Sequence, residues 1–452
     1  MRMVIGGRIA LFDAPRELLM ELRDALSLEN PAYFQALKRS PNCRIYMSRY
    51  LKYYDEKDGI FYCGRGLEKR VHEWCEARDI DLEFSERTSR PSYPATSSIK
   101  LREYQEGVPE AVIDGDTHGI VKMATGAGKS ICALRIAELL KTTALFIVPK
   151  KSIMGQFVSD IEKYFGQKPG IIGEGKFDVQ PYTVATIQTL QRMIPKMGKE
   201  DLVNLSSYFG VMFVDECHTV IPQKSRTVIE AFAPAFLYGL TATDRRGDGQ
   251  GEALRFVFGE NLCDVRVDQA VPSVRVVRYQ GRIPMGEYAD IIEYQTNDYA
   301  RNALIASHVD MQVSAGRRTL VLCKRVGHCA ALSELLGKHR TVALRSDLPQ
   351  KEMAATVASI RDGSLPFDCV VGTFSLLSAG TDFPSLDTLV FAGDVKSDIL
   401  QEQSIGRVRR LFEGKKEPLI IDVQDSGNYV LARQAGERNK FYNAQGWAVT
   451  HT

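Results

Sequence analysis

The stretch Met123-Ala-Thr-Gly-Ala-Gly-Lys-Ser130 constrains this chain more than any other. An apolar run, Gly119–Met123, precedes it and reads as a buried strand. Ile131, Leu134, Ile136, Ala137, Leu139 and Leu140 follow at helical spacing. Strand, glycine-rich turn and helix in that order form a phosphate-binding loop, with Thr125, Gly126, Ala127, Gly128, Lys129 and Ser130 as its candidate nucleotide contacts. Gly126 and Gly128 carry no Cβ, so backbone N–H groups can approach phosphate oxygens, and the helix N-terminus adds partial positive charge. Lys129 offers a mobile cation to the outer phosphates, and Ser130 a hydroxyl to Mg²⁺. The strict pattern has glycine at the first position, where this chain has Met123.

The 452 residues suffice for about three domains. With 44% hydrophobic and 25% charged residues the composition is that of a globular protein. The net charge of +2 means that any nucleic-acid surface is a local patch. Nine cysteines form no CxxC pair, which argues against zinc and fits buried, reduced thiols in a cytosolic protein. No apolar run reaches the ~18 residues of a membrane span, and Met1–Arg8 lacks the apolar core of a signal peptide, so no membrane partner is expected.

Residues 1–84 read as a small α/β module: a strand or strand pair over Met3–Phe12, then a helix capped by Asp13 and opened by Pro15. Arg44–Tyr54 and Gly59–Cys63 read as strands joined by a turn, with a helix over about residues 66–77 and a closing strand at Ile80–Phe84. Within it, Asn30–Tyr54 contains no acidic residue and interleaves Lys38, Arg39, Arg44, Arg49 and Lys52 with six aromatic side chains. Cations neutralise phosphates and aromatic faces accept bases; the alternative is a solvated basic face over a tyrosine-rich core. Residues 85–98, polar and containing proline, read as a linker. From Ile99 strands alternate with helices, which implies parallel, doubly wound sheets with ligands at the C-terminal strand ends. One such domain is expected over 99–270 and a second, without a phosphate loop, over 271–452.

Asp215-Glu-Cys-His218 follows the apolar strand Val211–Val214. A carboxylate leaving a buried strand beside a phosphate loop suits a second Mg²⁺ anchor, and Glu216 suits the base that polarises attacking water. Gln403-Ser-Ile-Gly-Arg-Val-Arg-Arg410 lies on the last candidate helix, Ile399–Leu411, where Arg407 and Arg410 at a spacing of three are expected to share one face. Such arginines can act as a finger toward the γ-phosphate.

Together these motifs resemble superfamily 2 helicases. Leu101–Gln105 is similar to the adenine-reading Q motif, and Ala124–Ser130 to motif I, whose usual form does not demand the first glycine. Val148–Gln156 and Thr186–Gln188 are similar to the strand-contact motifs. Asp215–His218 resembles motif II, Gly239–Thr243 motif III, Val371–Asp382 motifs IVa–V and Gln403–Arg410 motif VI. The glutamine in motif VI and the Asp-Glu-Cys-His sequence resemble the DNA-repair branch with XPB and RecG types, and the module at 1–84 resembles that of phage UvsW-type branch-migration helicases.

The resemblance implies an α/β fold of two tandem RecA-like domains behind a small accessory domain, working with ATP and Mg²⁺. It implies that Arg102 and Gln105 read adenine and that Ser130 and Asp215 hold the metal. Glu216 would act as base, and His218 and Gln403 would relay between nucleotide and domain contact. Asp382 would sense the nucleotide, and Arg407 and Arg410 would stabilise transferred charge. Pro149, Lys150, Gln156, Thr186 and Thr373 would touch the tracked strand, and Arg245, Arg246 and Asp248 would take part in strand separation. It further implies a monomeric 3′→5′ motor on forked or junction DNA, acting in the cytoplasm of a bacterial host. An RNA helicase, the motor subunit of a restriction nuclease and a nucleic-acid scaffold without turnover are the alternatives.

Overall fold

A computed structural model describes residues 1–39, 42, 46–124, 126–242, 251–267, 269–374, 383, 385–395, 398–411 and 414–452, with side chains at 39, 350, 351, 354, 398 and 399 undescribed. Two compact units result, Met1–Val267 and Asp268–Thr452.

The first unit begins with a five-stranded sheet in the order Tyr54–Lys57, Ile60–Cys63, Ile9–Phe12, Arg2–Ile5, Glu83–Glu86. Its strands pair antiparallel, except that Arg2–Ile5 runs parallel to Glu83–Glu86. The alternation in Met3–Phe12 thus resolves into a hairpin, with Met3, Ile5, Ile9 and Leu11 all turned inward. Pro15, not Asp13, is the residue before the helix Arg16–Ala25, and Asp13 takes a left-handed turn with φ 52°. The basic, aromatic segment holds a helix, Pro31–Arg39, that its sequence does not announce, since its apolar positions are mixed with Lys38 and Arg39. The strand expected over Arg44–Tyr54 is shorter, Tyr50–Lys52, and continues after Tyr53 as Tyr54–Lys57.

The larger sheet of the first unit has eight strands in the order Lys176–Asp178, Gly170–Gly173, Tyr182–Thr186, Ala144–Val148, Val211–Asp215, Phe236–Thr241, His118–Met123, Asn261–Val265. All pairs are parallel except the Gly170–Gly173/Lys176–Asp178 hairpin. The four central strands are entirely buried, as near-continuous Val/Ile/Leu/Phe runs require when helices cover both faces.

The small module is not tethered loosely to this sheet. One hydrophobic core runs from Met3 and Trp74 through Leu145 and Val214 to Phe258. At the seam the glycines Gly7, Gly64 and Gly66 let main chain meet main chain: a Cβ on Gly66 would stand 1.8 Å from the Arg255 carbonyl oxygen. Buried Arg65 donates to the carbonyls of Pro234 (2.6 Å) and Ala235 (3.2 Å). The stretch read as a linker is laced down as well: Arg87 N bonds Ile5 O, Ser89 N bonds Ala233 O, Tyr93 N bonds Lys141 O and Ser98 N bonds Tyr164 O. Side chains add to these fixings, Ser89 Oγ to the Ser207 carbonyl and Ser97 to Glu138, so polar residues hold the stretch down without any apolar pattern.

The second unit has seven parallel strands in the order Thr341–Leu344, Cys369–Thr373, Thr319–Cys323, Thr388–Phe391, Leu419–Asp425, Ser273–Tyr279, Val449–His451. The helix expected at Ile399–Leu411 spans Asp398–Gly406. At the C-terminal end of its sheet lies a buried ionic network. Arg438 bonds Asp422 through Nε (2.9 and 3.1 Å) and Asp394 through Nη1 (2.9 Å). Arg301 bonds Asp425 through Nε (2.8 Å), and Gln295 Nε2 reaches both Asp394 and Asp425. The fold is thus α/β, two RecA-like parallel-sheet domains with a small N-terminal accessory module.

Candidate active site

The parallel sheet of the first unit sets the site by register. Asp215 pairs with Leu240, Thr241 with Lys122, Val214 with Ile147 and Thr186 with Val148. The chain therefore leaves the sheet along one edge at Met123, Val148, Thr186, Asp215 and Thr241, where motifs I, Ia, II and III begin.

The turn after Met123 takes positive φ at Gly126 and Gly128, both 82°, and enters the helix Lys129–Leu140. Met123 itself has no positive φ and its side chain is buried in the core, which is why glycine is not needed there. Lys129 Nζ rests on the Met123 carbonyl at 3.4 Å. Ser130 follows in the first helical turn, half-buried. Thr125 lies outside the described residues.

Gln105 is buried and fully engaged. Its Nε2 donates to the Ala127 carbonyl at 2.6 Å and its Oε1 accepts from Arg102 N at 2.9 Å. A Cβ on Gly128 would stand 2.3 Å from that Nε2. In this conformation the amide braces the phosphate loop and not a base, while the Arg102 guanidinium bonds the Tyr104 hydroxyl at 2.8 Å.

Asp215 is buried at its strand end, and burial, with the Glu216 carboxylate adjacent, pushes its carboxyl up to about 7; nearby Lys129 pulls the other way. Glu216 sits in the left-handed region at φ 47°, ψ 50°, a conformation that costs a non-glycine residue about 1 kcal/mol or more and is typical of functional turns. Its Oε2 is buried and has no hydrogen-bond partner among the described residues. His218 Nδ1 lies 3.4 Å from that Oε2 and 3.2 Å from Thr241 Oγ1, so it bridges motif II to motif III.

The residues fit a nucleotide with its metal. The φ 82° glycines shape the turn at the head of the helix Lys129–Leu140, and the buried Asp215 carboxylate lies near enough to feel the Lys129 charge. Hydroxyl and carboxylate oxygens are the donors that Mg²⁺ takes.

Along the same edge, Lys150 precedes the helix Lys151–Phe165 and is exposed, while Pro149 and Gln156 are half-buried. Gln188 Nε2 bonds the Pro149 carbonyl at 2.7 Å, joining two expected strand-contact motifs. Thr186 is buried with its hydroxyl 2.8 Å from that of Thr189, so it positions the helix Ile187–Met193 and its side chain is not on the surface.

In the second unit Thr373 is buried at its strand end and Gln403 is half-buried on the helix Asp398–Gly406. Arg407 and Arg410 do not share a helical face, because the helix ends at Gly406 and both lie in the turns beyond it. Arg407 is buried and Arg410 half-buried. Arg409, between them, is structural: its main chain and its Nε both bond Ala270, and its guanidinium lies 5.1 Å from the Trp447 ring. Asp382, Arg245, Arg246 and Asp248 lie outside the described residues.

In the accessory module Lys38 is exposed; Arg49 is exposed, pairs with Glu29 at 3.4 Å and covers the rings of Phe34 and Tyr50. Arg44 and the Arg39 side chain lie outside the described residues. The bracing of the loop by Gln105 and the Arg65 clamp were not visible in the sequence; an arginine between two glycines, Gly64-Arg-Gly66, is the only signal that could have pointed to the clamp.

Residues 98–246 match the family described as type III restriction enzyme, res subunit, and residues 299–412 match the helicase conserved C-terminal domain; together they span more than half of the chain. The chain belongs to the superfamily 2 helicases. A protein named "Probable helicase D10" of Escherichia phage T5 is 27% identical over 448 residues, covering 93% of this chain and 94% of that one. The DNA 3′-5′ translocase XPB2 of Sulfurisphaera tokodaii is 28% identical (90% and 97% covered), and the ATP-dependent DNA helicase uvsW of Enterobacteria phage T4 is 26% identical (77% and 73% covered). Among solved structures, a fragment of an HsdR subunit of a type I restriction enzyme from Vibrio vulnificus matches with a TM-score of 0.57 at 21% identity, over 79% of this chain and 69% of that one, which shows a shared fold. The protein is thus an ATP-dependent helicase or translocase of the branch where UvsW-like and XPB-like motors lie. Among the described residues no helix is long and apolar enough to cross a membrane.

Proposed function

We propose that this helicase acts on DNA, unwinding or branch-migrating forks and junctions with 3′→5′ movement, as a monomer. Similarity over nearly the whole chain to phage and XPB-type proteins supports a DNA motor. The observation that carries the branched-DNA reading is the accessory module, which shares one core with the motor lobe and presents exposed Lys38 and Arg49. A cationic surface held rigidly to a motor lobe can fix how a second duplex arm approaches, with phosphate contacts that are independent of sequence.

The proposed chemistry is hydrolysis of ATP to ADP and phosphate. Main-chain N–H groups of Gly126–Gly128 and the Lys129 ammonium would bind the phosphates, and Ser130 and Asp215 would hold Mg²⁺. A bound Mg²⁺ supplies Lewis-acid stabilisation of the phosphoryl oxygens. Glu216 Oε2, buried and accepting no hydrogen bond among the described residues, is placed to orient water and take its proton. His218 holds Glu216 and Thr241 in register, so a change in the nucleotide is felt at motif III. Gln403, Arg407, Arg410 and Asp382 keep the nucleotide-sensing and charge-stabilising roles that the motif resemblance implies for them.

ATPase stimulation by forked DNA against RNA of equal length tests the reading. Stronger stimulation by the fork is expected; stronger stimulation by RNA overturns it. The restriction-subunit name of the family matched at 98–246 favours a second reading, a nuclease motor, which co-purification with a nuclease would support.

A further inference from the structure

Between the accessory module and the motor lobe lies a cavity of about 800 Å³, within the ~300–1,000 Å³ range of ligand pockets. One wall is the accessory module, with Gln35 on the helix Pro31–Arg39 and Tyr50, Lys52 and Tyr54 on the strands beside it. The other is Gln223 and Arg226 at the start of the helix Gln223–Glu230. That helix begins where the chain leaves Asp215–His218 and ends before the strand Phe236–Thr241. Its N-terminus therefore lies toward the sheet edge that carries Asp215 and Thr241.

The groove is built rigidly. Asn30 accepts from Ala32 N at 3.1 Å and donates to Ser48 O at 2.9 Å, which fixes the helix against the strand. Buried Arg226 crosses between the walls: Nη2 to the Lys52 carbonyl at 3.3 Å, Nε to Glu230 at 3.2 Å, the guanidinium 4.9 Å from the Tyr53 ring. Gln191 Nε2 bonds Ser225 Oγ at 2.8 Å, tying the far wall to the helix Ile187–Met193. Asp55, the acidic residue in the lining, is neutralised by Arg8 at 2.9 Å.

We propose that this groove binds unpaired nucleotides of a nucleic-acid tail. Its rings suit base stacking: Tyr50 is 42% exposed, and Tyr54 is backed by Phe61 at 5.2 Å. The exposed amides of Gln35 and Gln223 can bond the edges of bases, which only an unpaired strand presents to such a cavity. Lys52, its ammonium 5.6 Å from the Tyr54 ring, supplies a cation for the adjoining phosphate. The inference rests on the reading of the accessory module as the part that recognises branched substrates, and gives it a strand-specific element next to motif II.

The test uses the full chain and forked duplexes with one unpaired tail carrying iodouracil, in DNA and RNA forms, against blunt duplex. Photocrosslinks are expected at Tyr50, Tyr54 or Gln223. In the Tyr50→Ala/Lys52→Ala variant the ratio of tailed to blunt affinity falls on the order of tenfold, the loss expected from one stacking ring, and Gln223→Ala on the opposite wall lowers the same ratio by a smaller factor. A preserved thermal transition shows that each variant folds. An unchanged ratio with crosslinks elsewhere overturns the groove. A Lys38→Ala variant, outside the groove, separates the two ideas: if it alone loses junction preference, the accessory reading stands and the groove falls; if no variant changes selectivity, both fall. Crosslinking of the RNA tail alone overturns the DNA form of the proposal.

Discussion

The seam between accessory module and motor lobe makes a quantitative prediction through Gly66→Ala. The added Cβ would lie 1.8 Å from the Arg255 carbonyl oxygen and 2.4 Å from the Gly259 nitrogen, both main-chain atoms that no side-chain rotation can clear. A tolerable carbon–oxygen contact is about 3.3 Å, so the two backbones must part by about 1.5 Å. A gap of that size forfeits much of the dispersion contact along the seam. Overpacking of a close-packed interior costs about 1–3 kcal/mol, and with backbone on both sides the upper end, about 3 kcal/mol, is expected. The chain has two tryptophans, buried Trp74 in the first unit and Trp447 in the second. In a Trp447→Phe background, urea unfolding read by Trp74 fluorescence reports the first unit alone. With a slope of about 3 kcal/mol per molar urea, the midpoint should fall by about 1 M. Gly107→Ala is the control: it has φ −83° and open space at its Cβ, and should leave the midpoint within about 0.2 M. An unshifted midpoint in Gly66→Ala would refute the view that module and lobe share one core.

Other consequences are simpler to state. Lys129→Ala should lower ATP turnover by at least about a hundredfold while nucleic-acid binding persists in an anisotropy assay, and Glu216→Gln should lose turnover while retaining bound ATP. Arg438→Met leaves Asp394 and Asp422 buried beside a lost cation, so the second unit should lose about 3–5 kcal/mol in urea unfolding read by Trp447. Buried His328, bonded to Asn302 Oδ1 at 2.8 Å, has its imidazole pushed down to about 3 by burial and by the Arg301 charge. Its contribution is complete above the ordinary value of 6.5 and is lost as pH falls from there toward 3, because the unfolded chain takes the proton first. His328→Gln should flatten that part of the stability profile, and a parallel profile in the variant would contradict the assignment.

The central strands of both large sheets were legible because short, mostly apolar runs alternate with helical patterns, while edge strands such as Gly170–Gly173 and Asn261–Val265 carry no such run; motifs I and II were legible because their chemistry needs fixed spacing. The helix Pro31–Arg39 was not, since its face is half aromatic and half basic and no sequence rule says which half packs. Gln403–Arg410 shows a different limit. Helical periodicity suggested a shared arginine face, but the helix stops at Gly406, and the Arg409 bonds to Ala270 turn the chain away. Residues 85–98 show a similar limit: hydrogen bonds of their main chain and serine side chains to distant segments leave no mark in composition. The Gln105 brace depends on a buried amide meeting the Ala127 carbonyl, a tertiary fact.

Strand displacement tests the central claim most directly. Forks with 3′ or 5′ tails, four-way junctions, linear duplex and RNA duplex are each incubated with the protein, ATP and Mg²⁺, with Lys129→Ala alongside. Rapid ATP-dependent opening of forks and junctions, favoured by a 3′ tail and absent in Lys129→Ala, is the predicted result. Equal or faster opening of RNA duplex, or opening that survives loss of Lys129, would contradict it.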